Sequence, residues 1–303
     1  KNFNIKLIKP KKLKIIEDKD YLNKDKVGEN YKNLIVFKNG IFEESVFEKN
    51  LNEKINIIKI RDYVKNKKNF NKEIHSDFNK YSENRISGIT DNKTVNLLSL
   101  NAILNHGMVI EIPSNTVIEK PIHIYNHISS KCALINPYLF IILGENCKLE
   151  LIDITCHAGV ENWINIFYEI YLEKNSYLKM SNLSLNQVDN VSTASYNFHM
   201  QKKASLDFST INKGFSKKDI RVFLDGENSK AKIRGMLLSN HKEINDVFCK
   251  VTHNSKNTNS SQDWRMISSG NSQTSLNGKI RILKDSKKSS GNFLSKSLLL
   301  DDK

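Results

Sequence analysis

The chain of 303 residues has little of what usually betrays a function at first sight. Its four cysteines, Cys132, Cys147, Cys156 and Cys249, lie far apart, with no C-x-x-C pair and no histidine at zinc-finger spacing. That argues against a disulfide framework and a Cys/His zinc site. Scattered thiols of this kind are expected to be reduced, half-buried fillers in a reducing compartment. No apolar stretch reaches the roughly 18 residues that span a bilayer, and no signal peptide opens the chain. A cytoplasmic protein is therefore expected, from a bacterium or a plastid-type organelle. The motifs G-x-x-x-x-G-K-[ST] and H-E-x-x-H are also missing, which speaks against a P-loop ATPase and a zinc peptidase. Arginine occurs only at positions 61, 85, 221, 234, 265 and 281, so the net charge of +14 is almost all lysine. Lysine travels with asparagine and isoleucine along the whole chain, as an A/T-rich genome would produce. No basic block is interleaved with aromatics, so charge alone does not make this a nucleic-acid binder. The first residue is Lys1 rather than Met, so an incomplete start is expected.

What the chain does have is a repeat. Alternating apolar runs are broken by short polar turns, and a small residue recurs at Cys147, Ser176, Ala204, Ser229, Ser255 and Ser286. By subtraction the steps are 29, 28, 25, 26 and 31 residues. Periods of about 20–50 residues mark solenoids and propellers. Each period here holds about two strand-length runs and no helical stripe, which predicts a mainly β protein built as a right-handed parallel β-helix. Phe140 with Ile142, and Leu149, Leu151 and Ile154, are expected to turn inward, with Lys148 and Glu150 pointing out.

Before the repeat, residues 1–30 are a polar lead. Residues 33–47 read as a hairpin around Asn39-Gly40, a favoured type I′ pair. Residues 54–86 suggest one or two modest helices, and 97–112 a short helix that breaks at Gly107 and enters the first strand. The expected division is a small α/β cap over residues 1–96 and a β-helix core over 97–303.

Few side chains offer chemistry. Cys249 and His253 are ligand-type residues sharing one strand face and are the candidates for a metal contact. Four positions along a strand is about 13 Å, too far for one metal without help from a second strand. A hydrogen-bonded histidine beside a packed thiol is the plainer reading. Cys156 and His157 are adjacent and so face opposite ways. Gln262 and Trp264 are expected to pack a coil corner. A β-helix carbohydrate-active enzyme would need paired carboxylates on one outer face, and Asp153, Asp207, Asp225 and Asp246 do not share a column.

Several segments, in order, carry a family resemblance. They are Val36–Gly40; Leu100-Asn101-Ala102 leading through Gly107 and Pro113 to Glu119-Lys120-Pro121-Ile122; Gly214 through Asp219 to Leu224-Asp225-Gly226-Glu227 and Gly235; Asp246, His253 and Ser261; Leu276-Asn277-Gly278-Lys279-Ile280; and Leu298-Leu299-Leu300. Together they resemble the SufB/SufD family of the SUF iron–sulfur cluster assembly system, its SufD branch more than its SufB branch. Lys217 stands where the family usually has arginine, and Ser286–Gly291 lacks the family's glutamine-rich character. The resemblance implies a non-catalytic scaffold that pairs with a SufB-type paralogue through the β-helix end. It implies no stably bound cofactor, only a transient iron–sulfur cluster at the level of the complex. It also implies that the SufC ATPase docks on a C-terminal helical domain, which follows a Cys-Ser-His-Gly-Ala-Thr motif; neither is found in residues 1–303. Those residues alone are accordingly expected to self-associate at the final apolar run and not to bind SufC. A SufB-like paralogue is the alternative within the family.

Overall fold

A computed structural model describes residues 14–15, 33–49, 51, 53–65, 107–185 and 189–301. In chain order the strands are β1 (Lys14–Ile15), β2 (Leu34–Lys38), β3 (Ile41–Val46) and β4 (Asn56–Lys59), followed by one short helix, α1 (Ile60–Lys65). Next come β5 (Met108–Ile112), β6 (Ile122–Ile128), β7 (Ala133–Ile135), β8 (Tyr138–Leu143), β9 (Lys148–His157) and β10 (Trp163–Leu172). The remaining coils are β11 (Tyr177–Leu185), β12 (Val191–Met200), β13 (Ser205–Lys213), β14 (Phe215–Leu224), β15 (Lys230–Ser239), β16 (Ile244–His253), β17 (Asn259–Ser268), β18 (Gln273–Ile282) and β19 (Ser290–Leu299).

From β8 onward the even-numbered strands stack in one sheet, in the order β18-β16-β14-β12-β10-β8-β5-β4, with β7 also pairing β10 and β1 pairing β7. The second sheet runs β19-β17-β15-β13-β11-β9-β6-β2-β3. The pairings among β5 to β19 are parallel and in unbroken register, for example Tyr177 on Lys148 and Ser205 on Tyr177. The molecule is thus a parallel β-solenoid of about seven turns, each turn giving one strand to each sheet. No coil buries its inner face alone, so stability comes from stacking.

The corners explain the repeat. Asn146, Asn175, Lys203, Asn228, Asn257 and Lys288 all have positive φ, a conformation asparagine tolerates better than most residues. The backbone N–H of each corner bonds the next coil, as in Asn146 N to Lys174 O (2.9 Å) and Asn175 N to Lys202 O (2.9 Å). Asparagine amides stack into a ladder, Asn175 Nδ2 donating to Asn146 Oδ1 (3.0 Å) and Asn146 Nδ2 to Asn115 Oδ1 (2.8 Å). Cys147, Ser176, Ala204 and Ser229, the next residues along, are buried. Ser255 and Ser286 are not the members that continue the column. Register places Thr258 and Ser289 there, because Lys230 pairs Asn259 and Asn259 pairs Ser290. The corner grows from four residues (144–147) to five (225–229, 254–258) and then seven (283–289). With 225–229 and 254–258 equal in length, Ser255 is misplaced because Asn254-Ser255 at the start of its corner imitates Asn228-Ser229 at the end of the one before, whereas the true member is Asn257-Thr258. At the opposite corner a single residue, Gly214 (φ 93°), joins β13 to β14, a turn that needs glycine.

The inward faces also correct the sequence reading. On β8 the residues in the main core are Leu139, Ile141 and Leu143, whereas Phe140 and Ile142 pack on the outer side with Val109, Tyr171 and Tyr63. Both faces of β8 are apolar, so its alternation carries no sign. On β9 the inward series is Leu149, Leu151 and then Asp153, not Ile154. Lys148 and Glu150 face outward, as expected.

At the N-terminal end, β2 and β3 form the expected hairpin, with Asn39 (φ 49°) and Gly40 (φ 82°) in the turn. Strand β2 continues the second sheet beside β6, and β4 runs antiparallel to β5 in the first. Within 54–86 residues 54–65 are described: Asn56–Lys59 is strand β4 rather than helix, because it pairs with β5, and α1 follows. Residues 66–86, and the helix expected before Gly107, lie outside the described residues.

Candidate functional site

The solenoid interior has an apolar half and a polar half. The early positions of the second-sheet strands and the late positions of the first-sheet strands are apolar: Leu149, Leu178, Leu206 and Phe208 face Leu172, Phe198 and Val222. Further round each coil the inward positions turn polar, with Asn126 on β6, Asp153 on β9, Asn182 on β11, Thr210 and Asn212 on β13, and Lys218 on β14. Lateral register sets Asp153, Asn182 and Thr210 side by side, and the next coil returns Lys218 across the interior to meet them. Lys218 Nζ donates to Asn182 Oδ1 (2.6 Å), Thr210 Oγ1 (2.7 Å) and Asn212 Oδ1 (2.5 Å). It also lies 5.5 Å from the centre of the Tyr196 ring. The Asp153 carboxylate accepts from Asn126 Nδ2 (3.0 Å), Asn182 Nδ2 (2.9 Å) and Tyr196 Oη (3.3 Å). Asn182 thus bridges the cation and the anion through the two ends of one amide.

Burial dominates the electrostatics. It pushes the Asp153 carboxyl up to about 6, against the hydrogen bonds and the Lys218 charge that favour ionisation. It pulls the Lys218 ammonium down to about 7, with Asp153 opposing. The three acceptors match the three ammonium hydrogens, and Thr210 Oγ1 also lies within reach of Asn182 Oδ1 (3.0 Å) and Asn212 Oδ1 (3.3 Å), so the buried amine is fully hydrogen-bonded. The sequence offers one signal for this network: strict alternation from Leu149 and Leu151 puts Asp153 inside.

Both metal candidates face the interior. Cys249 is fully buried, and burial pushes its thiol well above the ordinary range. His253 shares that face, but Nδ1 is 2.7 Å from Thr258 Oγ1 and Nε2 is 2.9 Å from Ser260 Oγ. Both ring nitrogens are therefore engaged by hydroxyls, and burial lowers the pKa of the ring. Among the described residues no three His, Cys, Asp or Glu side chains gather to hold a metal ion.

The remaining candidates are dispersed. His157 faces in and Cys156 out; burial pulls His157 down to about 4. Gln262 and Trp264 lie inside strand β17 rather than at a corner, with Trp264 Nε1 3.4 Å from Gln262 Oε1. Gly235, laterally paired with Trp264, makes the room: a Cβ there would overlap the indole. Of the four aspartates, Asp153 is interior, Asp207 pairs Arg234, Asp225 lies at a corner near His199, and Asp246 is 3.6 Å from Lys217. They occupy different faces and form no carboxylate pair. The fullest polar group on the outer face is on β10 and β12. There His199 Nε2 is 2.5 Å from Glu169 Oε1 and the ring stacks between Tyr171 (4.6 Å) and Phe223 (5.0 Å).

No helix of the described residues is long and apolar enough to cross a membrane. A family model described as "SUF system FeS cluster assembly, SufBD core domain" matches residues 126–303, the stretch from the end of β6 through the last coil. No curated protein matches the chain.

Proposed function

We propose that this chain, which belongs to the SufBD core family of the SUF iron–sulfur cluster assembly system, works as a non-catalytic scaffold subunit of the SufD type. The observation that carries the reading is that the family match covers the solenoid itself. The working surfaces are then those of a scaffold: two sheet faces and the end of the β-helix, where a SufB-type paralogue pairs. The SufC ATPase supplies the nucleotide chemistry, in a soluble cytoplasmic complex. The cluster is the transient cargo of that complex and not a resident cofactor of this chain. Cys249 and His253 serve the packing of the coil on this reading, since the His253 hydrogen bonds leave no nitrogen for a metal. The protein is expected to co-purify with a SufB-type partner and to hydrolyse neither ATP nor glycans by itself. ATP turnover or glycan cleavage by the isolated protein would overturn the proposal.

A further inference from the structure

Cations cluster on the outer face of the first sheet. Lateral register aligns Arg221 on β14 with Lys250 on β16 and Lys279 on β18, and Arg281 follows two residues along β18. All four alternate with the inward Val222, Val251 and Ile280. Neighbouring strands are about 4.8 Å apart and same-face residues about 6.8 Å apart, so the four backbone positions fall within roughly 10 Å by 7 Å. Arg221 is held by Asp219, Nε to Oδ1 and Nη2 to Oδ2 at 2.9 Å each, and lies 5.7 Å from the centre of the Phe248 ring. Lys250, Lys279 and Arg281 make no ion pair among the described residues. Lys279 and Arg281 are exposed and Lys250 is half-buried. Like charges side by side on a sheet repel one another. Burial lowers the Lys250 pKa, and Arg221, Arg281 and Lys279 lower it further, against the opposing charge of Asp219.

We propose that this cluster is a docking surface for an acidic segment of a partner protein, bound extended with carboxylates at alternate positions. Alternate residues of an extended segment repeat at about 6.8 Å, the spacing of Lys279 and Arg281 along their strand. The one constrained guanidinium is already committed to Asp219, and the free cations include two lysines, flexible point charges that follow carboxylates without demanding a fork. A second copy of this chain is a poor occupant, because its own cluster would bring cation against cation. A nucleic acid would draw on a longer cationic tract with aromatic faces for its bases. The cluster lies on the face of the sheet, so a further strand beside β18 would leave it uncovered. The inference does not depend on the SUF reading.

The test is fluorescence anisotropy with a labelled peptide of alternating Glu and Ser, alongside its Gln/Ser counterpart and a short single-stranded DNA. The Glu/Ser peptide is expected to bind in a salt-sensitive way, and the Gln/Ser peptide not to bind. Lys250→Gln and Lys279→Gln should each weaken binding by about two- to fivefold, the scale of exposed ion pairs, and the double variant by more. Lys232→Gln, on the exposed outer face of the other sheet, should leave binding unchanged. Circular dichroism checks the fold of each variant, and Lys279 is exposed enough for its substitution to leave packing intact. Failure of the wild type to bind would overturn the proposal. So would equal weakening by Lys232→Gln, or tighter DNA binding through the same lysines.

Discussion

Replacing Lys218 by alanine probes the polar half of the solenoid directly. The substitution strips Asn182 Oδ1, Thr210 Oγ1 and Asn212 Oδ1 of a common donor. It also leaves the fully buried Asp153 without the positive charge that favours its ionised form. Removing one partner of a buried charge pair costs about 3–5 kcal/mol, and that loss is expected for Lys218→Ala in urea unfolding followed by tryptophan fluorescence. The double variant Lys218→Met with Asp153→Asn removes both charges and keeps most of the volume. It is expected to recover at least half of the loss. The pH dependence has a definite sign. Asp153 titrates near 6 when folded against an ordinary 3.8, so the folded state holds the extra proton and stability falls as pH rises from about 4 to 6. Lys218 titrates near 7 when folded against an ordinary 10.5, so the unfolded state holds the extra proton and stability rises from about pH 7 to 10.5. The pair therefore contributes a trough between about pH 6 and 7, and the double variant should lose it. A cost below about 1 kcal/mol for Lys218→Ala, or a trough that persists in the double variant, would refute the account of this network.

Three further outcomes follow from individual contacts. Gly235→Ala pushes a methyl into the Trp264 indole and should cost about 1–3 kcal/mol, as overpacking does; relief by Trp264→Leu in the same denaturation assay identifies the clash. Asn39→Ala removes the acceptor of Ser129 N (2.8 Å) and Ser130 N (3.0 Å) and puts a less suitable residue at positive φ. A loss of about 1–2 kcal/mol is expected, with faster amide exchange at Ser129 and Ser130. His253→Phe strands the Ser260 hydroxyl and takes one partner from Thr258 Oγ1, which keeps Ser255 O and Ser289 Oγ, and should lower the unfolding midpoint while leaving any iron content of the purified complex unchanged. Iron loss without destabilisation would show that His253 is a ligand after all.

The coil repeat is legible in the sequence because corner geometry is demanding: positive φ at Asn146, Asn175 and Asn228 and burial of the next residue leave few choices. The column drifts at Ser255 because Asn254-Ser255 opens its corner with the same residue pair that closes the one before, Asn228-Ser229, and at Ser286 because the corner there lengthens to seven residues. The Asn39-Gly40 hairpin is legible for the same reason as the early corners. Inner and outer faces are harder. Phe140 and Ile142 are apolar on the outer side, and Asp153 and Lys218 are charged on the inner side, so hydropathy points the wrong way at both places. The opposition of Lys218 to Asn182 and Thr210 depends on how the next coil lies across the lumen, which no local pattern encodes. Trp264 reads as a corner residue because nothing near it in sequence announces Gly235, its partner 29 residues earlier.

As a proposed scaffold within a SUF assembly, this member of the SufBD core family would act in fixed proportion to its partners. The most direct measurement is reconstituted iron–sulfur cluster transfer to an apo-acceptor by SufB-type and SufC partners, titrated with this protein. The account predicts that transfer rises with added protein and saturates at a fixed stoichiometry, that the protein elutes with its partners, and that ATP hydrolysis tracks SufC alone. Transfer that is indifferent to this protein, or that it promotes at catalytic rather than stoichiometric amounts, would contradict it.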